Sequence, residues 1–451
     1  MRKQVKFLPL MLLLILFTPA IVFVGCQRLA PNIPTDTPES STAAEENIII
    51  TKQNDSEHGQ SQLNPSELVS FPDKNLDSII RRELNKEPEE PITVGELTGI
   101  TGLTIGMPFS SSGLAESFYL SDPNSIKQIN NLSGLEYCVN LCYLRILVED
   151  NRVNDLSPLA SLTRLTHLEI QGNNSSYVTM AWKNSDMPSI NHAKGQSLNV
   201  SPLANLTDLT YLFLDGNQIT DISFLSSLNK LTELSLNNNQ INNISAIARL
   251  TNLRRLQLSY NQVSDLSPLK DLTELRFLRL NNNLISDTVF LAGLSNIDEL
   301  YLSNNHISDL TPLVQLTKLD FLDLNGNQIS DLSPLAKSSR FTSLWLNDNK
   351  ITNISSLKNL VNLRYLRLGG NQINDISALS RLTNLTYLGL YHNQIMDVTP
   401  LVANDGLGTG DRIILAGNPL SDDSRNKYIP LLRQRGADID LTEVIPVPAT
   451  E

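Results

Sequence analysis

Over most of its length the chain repeats one arrangement of apolar and polar positions, L-x-x-L-x-L-x-x-N-x-I/L followed by x-D/N-I/L-S-P-L-x-x-L-T. "LTYLFLDGNQI" (209–219), "LTELSLNNNQI" (231–241) and "LRRLQLSYNQV" (253–263) are successive copies. The L-x-L segment has a period of two, which predicts a short strand with Leu212 and Leu214 inward and Phe213 outward. "ISFL" or "LSPL" predicts a tight helical turn on the opposite side, with Ser as its cap and Pro just inside. Asn217, Asn239, Asn261, Asn283, Asn305, Asn327, Asn349, Asn371 and Asn393 keep a strict spacing of 22, with further asparagines of the frame at 151, 173 and 418. An amide at an inward corner offers donors and an acceptor to the backbone groups of neighbouring coils, so these nine predict a structural ladder. One copy cannot bury its own leucines, and only stacking creates a core. The predicted class is an α/β solenoid, a horseshoe with a short-strand parallel sheet on its concave face.

The pattern changes at both ends. Residues 1–25 combine a basic start ("MRKQVK") with an apolar run interrupted by Pro9 and Pro19, which predicts a signal peptide, an uncleaved membrane helix being the alternative. Residues 26–68 are rich in Pro, Ser, Thr, Glu and Asn and have little to bury, so they predict a disordered tether. In 69–105, Leu76, Ile79, Ile80 and Leu84 fall at helical spacing, and Thr93 and Glu96 form a capping-box pair. Two short helices, a cap for the first coil, are expected there. Repeats are expected over 106–418, interrupted near 106–125 and 174–199. The second interruption reads as a loop inserted after the strand at 165–170, with a decayed repeat as the alternative. Residues 419–451 predict a C-terminal cap and tail.

Composition narrows the function. The net charge is −12, and about −15 once Arg2, Lys3 and Lys6 leave with the leader, which argues against nucleic acid as a partner. Cys138 replaces a leucine of the frame and reads as a core residue, with a Cys138–Cys142 disulfide the lesser alternative. His58, His167, His192, His306 and His392 have no metal-ligand spacing, and no catalytic signature is visible, so neither a metal, a cofactor nor an enzymatic activity is expected. "GLGTGD" (406–411) resembles a phosphate loop only superficially, lacking its lysine. Asp265, Asp287, Asp309 and Asp331 stack in register, either as local backbone acceptors or as a calcium ladder.

Two resemblances add to this. "FVGC" (23–26) resembles a bacterial lipobox, which implies a lipid on Cys26, display at the cell surface and, in a cell with two membranes, outer-membrane placement from Gln27. The repeats resemble those of the internalins and related bacterial leucine-rich-repeat lipoproteins. "FPDKNL", "LSGLEYCVNL" and "NPLSDDSRNKYIPLLRQRG" are similar to cap and first-repeat segments of that group, over roughly residues 69–441. The resemblance implies the fold but leaves the ligand open.

The outward positions carry the site signal. Among the four outward positions of each regular repeat, ten are aromatic, where the 6% aromatic content would give about two. Tyr211, Phe213, Arg255, Phe277, Arg279, Tyr301, Phe321, Trp345, Tyr365, Arg367 and Tyr387 form the expected partner-binding face, centred on Tyr301, Phe321, Trp345 and Arg367. Strand propensity and cross-strand stacking are the competing account. A protein partner is expected first and a glycan second; the alternatives are an envelope spacer with no ligand and a lipoprotein that captures a carbohydrate or peptide.

Overall fold

The computed structural model describes residues 63–106, 129–147, 153–172 and 197–442. The expected leader, Cys26, the tether as far as residue 62, most of both interruptions and the end of the tail lie outside the described residues. Residues 63–68, expected in the tether, join the cap instead, where the Val94 and Gly95 N–H groups donate to the carbonyls of Glu67 and Pro65 at 2.9 Å.

An N-terminal cap comes first. Asp73 accepts the N–H groups of Asn75 and Leu76 and so starts a helix over Lys74–Glu83. That helix buries Leu76 and Ile80 completely against the first coil. Thr93 and Glu96 close a reciprocal capping box at a single-turn helix, Val94–Leu97. Lys86, 2.8 Å away, followed by the Thr93 backbone, holds the Glu96 carboxyl down at about 2. A two-residue antiparallel ribbon, Leu68–Val69 with Ile92–Thr93, ties the cap together, a pairing too short for sequence periodicity to announce.

Among the described residues fourteen strands then form one parallel sheet in strict chain order, from Gly102–Gly106 to Asp438–Asp440. The central leucine of each regular strand is buried, as in Leu278, Leu300, Leu322 and Leu344, while its two neighbours point away from the core. Strand His167–Ile170 pairs directly with Tyr211–Phe213. On the opposite side most coils make one 3-10 turn, such as Ser333–Lys337, and the coil after Tyr387–Gly389 makes an α-helical turn, Thr399–Val402. Here the expected serine cap is corrected. The acceptor is the Asp or Asn two residues earlier: Asp265, Asp287, Asp309 and Asp331 each accept the N–H of residue i+2 at 2.8 Å. Ser and Thr hydroxyls donate back to some of the same carboxylates, so these acids are occupied locally.

The asparagines set the pitch. Asn305 Nδ2 donates to the carbonyls of Leu280, Leu302 and Ser303 at 3.0, 3.0 and 3.2 Å, and its Oδ1 accepts the Ile285 N–H at 3.1 Å. The same pattern recurs at Asn239, Asn261, Asn283, Asn327, Asn349, Asn371 and Asn393, and at Asn418. Asn217, at the coil that follows the interruption, donates instead to Ile170 and Asp215. Cys138 and Cys142 form no disulfide, and burial pushes Cys138 up to about 12, as befits a core residue. At the far end a helix over Ile429–Gln434 buries Ile429 and Leu432, and the strand Asp438–Asp440 ends the sheet.

Candidate functional site

Parallel register turns outward residues that are 22 apart in sequence into neighbours across the sheet. One row reads Arg255, Phe277, Glu299, Phe321, Ser343, Tyr365 and Tyr387; beside it runs Gln257, Arg279, Tyr301, Asp323, Trp345, Arg367 and Gly389. Because strands lie about 4.8 Å apart, side chains of this size must touch.

They touch as a continuous ladder. Arg255 lies 3.9 Å above the Phe277 ring, and Arg279 sits between Phe277 at 5.2 Å and Tyr301 at 4.5 Å. Tyr301 packs on Phe321 with centroids 4.6 Å apart, and Phe321 meets Trp345 edge-on at 4.8 Å. Arg367 covers the indole at 4.0 Å and reaches Tyr387 at 5.5 Å. Guanidinium faces laid on aromatic rings gain cation–π attraction.

Burial divides the expected residues unequally. Phe277 and Tyr301 are only 5% and 6% exposed, so they form the floor of the ladder beneath the more open side chains. Arg255 and Arg279 lie over Phe277, and Arg279 and Phe321 pack on Tyr301, which closes the two rings off. Tyr301 donates its hydroxyl to Glu299 at 2.9 Å, and burial pushes the phenol well above its usual range. Tyr365, 49% exposed, stands beside the ladder as its most open aromatic. The Trp345 ring is partly exposed, yet its indole N–H is buried without a hydrogen-bond acceptor.

Asp323 lies between Tyr301 and Trp345 in the second row and is 3% exposed. Burial pushes its carboxyl up to about 6, against the Asn325 N–H at 3.1 Å and the charges of Arg367 and Arg279. The leucine frame places Asp323 outward and gives no sign of its burial.

Tyr211 and Phe213 do not join this ladder. They belong to a second cluster with His167, which stacks on Tyr143 at 4.6 Å and meets Phe213 edge-on at 5.9 Å. Burial pushes His167 down to about 4, and Arg145 bridges to Glu169 at 2.6 Å beside it. Glu233, Ser235 and Gln257 are the polar residues separating the two groups, with Arg255 reaching Glu233 at 3.7 Å. Tyr143 and His167 were missed because their coils precede the regular spacing. Aligning "LCYLRIL" and "LTHLEI" on the leucine frame would have found them.

Among the described residues no group of His, Cys, Asp and Glu side chains could hold a metal ion, and no helix is long and apolar enough to cross a membrane. What the arrangement offers is a preformed surface of aromatic faces and guanidinium edges.

Residues 199–249, 251–293, 295–337, 342–381 and 361–403 match a family model for leucine-rich repeats. No curated protein matches the chain. Among solved structures, an internalin from Listeria monocytogenes, InlF, is 30% identical, with 84% of this chain and 93% of that chain covered and a TM-score of 0.59. The functional domain of InlJ, also from Listeria monocytogenes, shares the fold at 20% identity, with 83% and 81% covered and a TM-score of 0.57. A leucine-rich-repeat protein of Leptospira interrogans does so at 24%, with 68% and 80% covered and a TM-score of 0.55.

Proposed function

Because this chain belongs to the internalin-like family of leucine-rich-repeat proteins, we propose that it is a protein-binding module of the bacterial surface, tethered by a lipid on Cys26, that holds its partner on the concave sheet. One observation carries the reading: the unbroken arginine–aromatic ladder from Arg255 to Tyr387. Strand propensity accounts for aromatic residues singly but not for three arginines laid over the rings between them. Trp, Tyr and Arg are the side chains that dominate binding hot spots, and solenoids present extended concave surfaces of this kind. The asparagine ladder fixes the coils beforehand, so little conformational freedom is lost on binding.

The test compares wild type with a variant in which Tyr301, Phe321, Trp345 and Arg367 are all Ser, on arrays of host-cell, matrix and glycan ligands. Circular dichroism first establishes that the variant is folded. Affinity for a protein ligand is expected to fall at least about a hundredfold. Equal binding by both proteins would move the site off this face, binding of glycans alone would make the partner a sugar, and no binding by either favours the spacer. For the tether, Cys26→Ser is expected to abolish incorporation of labelled fatty acid and release the protein from the membrane fraction; unchanged fractionation would rule the anchor out.

A further inference from the structure

Several buried polar atoms find no hydrogen-bond partner: His167 Nδ1, Ser259 Oγ, Trp345 Nε1, and both Oδ1 and Nδ2 of Asn238. All of them lie on the concave sheet or on the turns at its margin. Folded proteins leave few such atoms, and each one calls for an explanation.

Asn238 is the most complete case. It is 4% exposed, with a left-handed backbone (φ 55°), and its N–H donates to the carbonyl of Ser259, itself 4% exposed, at 2.8 Å. Elsewhere in this row the side chains are provided for. Asn304 donates to Asn282 at 3.1 Å. Asn304 and Asp348 lean over Gly326 and Gly370, where an added Cβ would collide with them. Asn238 stands between Gly216, which has no side chain, and Tyr260, which has no amide. Nothing beside it in the row can satisfy both its donor and its acceptor.

A primary amide presents one donor direction and one acceptor direction side by side, the complement of a peptide group, and the hydroxyl of Ser259, the residue whose carbonyl accepts the Asn238 N–H, can supply either. The notch also continues the binding face, since Ser259 follows Arg255 and Gln257 on the same coil. We infer that Asn238 and Ser259 form a notch that reads main chain, in which the Asn238 amide pairs with one peptide group of an extended segment of the partner. This rests on the protein-binding reading and specifies the partner as one that presents an extended strand. The Asn238 amide is covered in the free chain, so the side chains around it must shift as the segment docks.

The experiment selects peptides from a random display library on the full chain and then scans one selected peptide by N-methylation, which removes one N–H at a time. One methylated position is expected to lose about tenfold in affinity for wild type. Against Asn238→Ala, the same methylated peptide and its parent should bind alike. Asn238→Ala is also expected to keep the wild-type melting temperature, because the amide makes no internal bond, whereas Asn239→Ala should melt lower. The inference is overturned if no methylated position separates wild type from Asn238→Ala, if Asn238→Ala melts as low as Asn239→Ala, or if the library yields no binder. Peptides that bind the four-serine variant as well as wild type would instead overturn the concave-face reading itself.

Discussion

Two side chains show how position in the repeat decides what a polar group does. Asn305 lies inside, where its amide replaces backbone partners that the coil corner cannot supply. Asn305→Ala removes three donated bonds and leaves the Ile285 N–H buried and unpaired, a loss of about 3 kcal/mol. Urea titration should show it as a lower midpoint, and an unchanged midpoint would mean that water replaces the amide without cost. Asp323 shows the reverse case. Its folded value of about 6 lies above the ordinary 3.8, so the folded chain binds the proton more tightly than the unfolded one. That contribution is complete below about 3.8 and disappears as pH rises through 6. Asp323→Asn should therefore melt at or above wild type at pH 7 and lose the fall in stability between pH 4 and 6 that wild type shows, about 1 kcal/mol or more. Melting curves across that window decide it, and parallel curves would mean that Asp323 is ionised throughout.

At the scale of elements, each strand and turn is made by local chemistry but is stable only beside its neighbours. A three-residue strand such as Phe321–Asp323 has no independent stability, and its flanking strands supply its hydrogen bonds. The end coils need covers for the same reason. The helix over Ile429–Gln434 and the strand Asp438–Asp440 shield Ile413 and Leu415 at the last coil. Ending the chain at Asn418 should leave the helical and strand signals nearly intact while the protein self-associates through the uncovered leucines. Light scattering reads this directly, and a monodisperse monomer would show that the last coil closes itself. Turn chemistry was only partly legible in the sequence. Serine looked like the cap because it precedes the turn, but the acceptor two residues earlier has the longer reach and the carboxylate charge, so it takes the N–H.

For the whole molecule, sequence alone determined the solenoid, its inward leucines, its corner asparagines and the outward direction of the aromatic residues. Each of these follows from a period, and a period of 22 repeated through the chain leaves one way to bury the apolar positions. Only the tertiary structure decided which outward residues act together. Contacts along the face depend on the side-chain size and rotamer of neighbours a full coil apart, which no spacing encodes. That is why Phe277 and Tyr301 became floor, why Tyr211 and Phe213 went to a separate cluster with His167, and why Asp323 and Asn238 emerged as the unusual polar groups. Periodicity places each Cβ on a side of the sheet; packing at a separation of about 4.8 Å determines which side chains are covered, and by what.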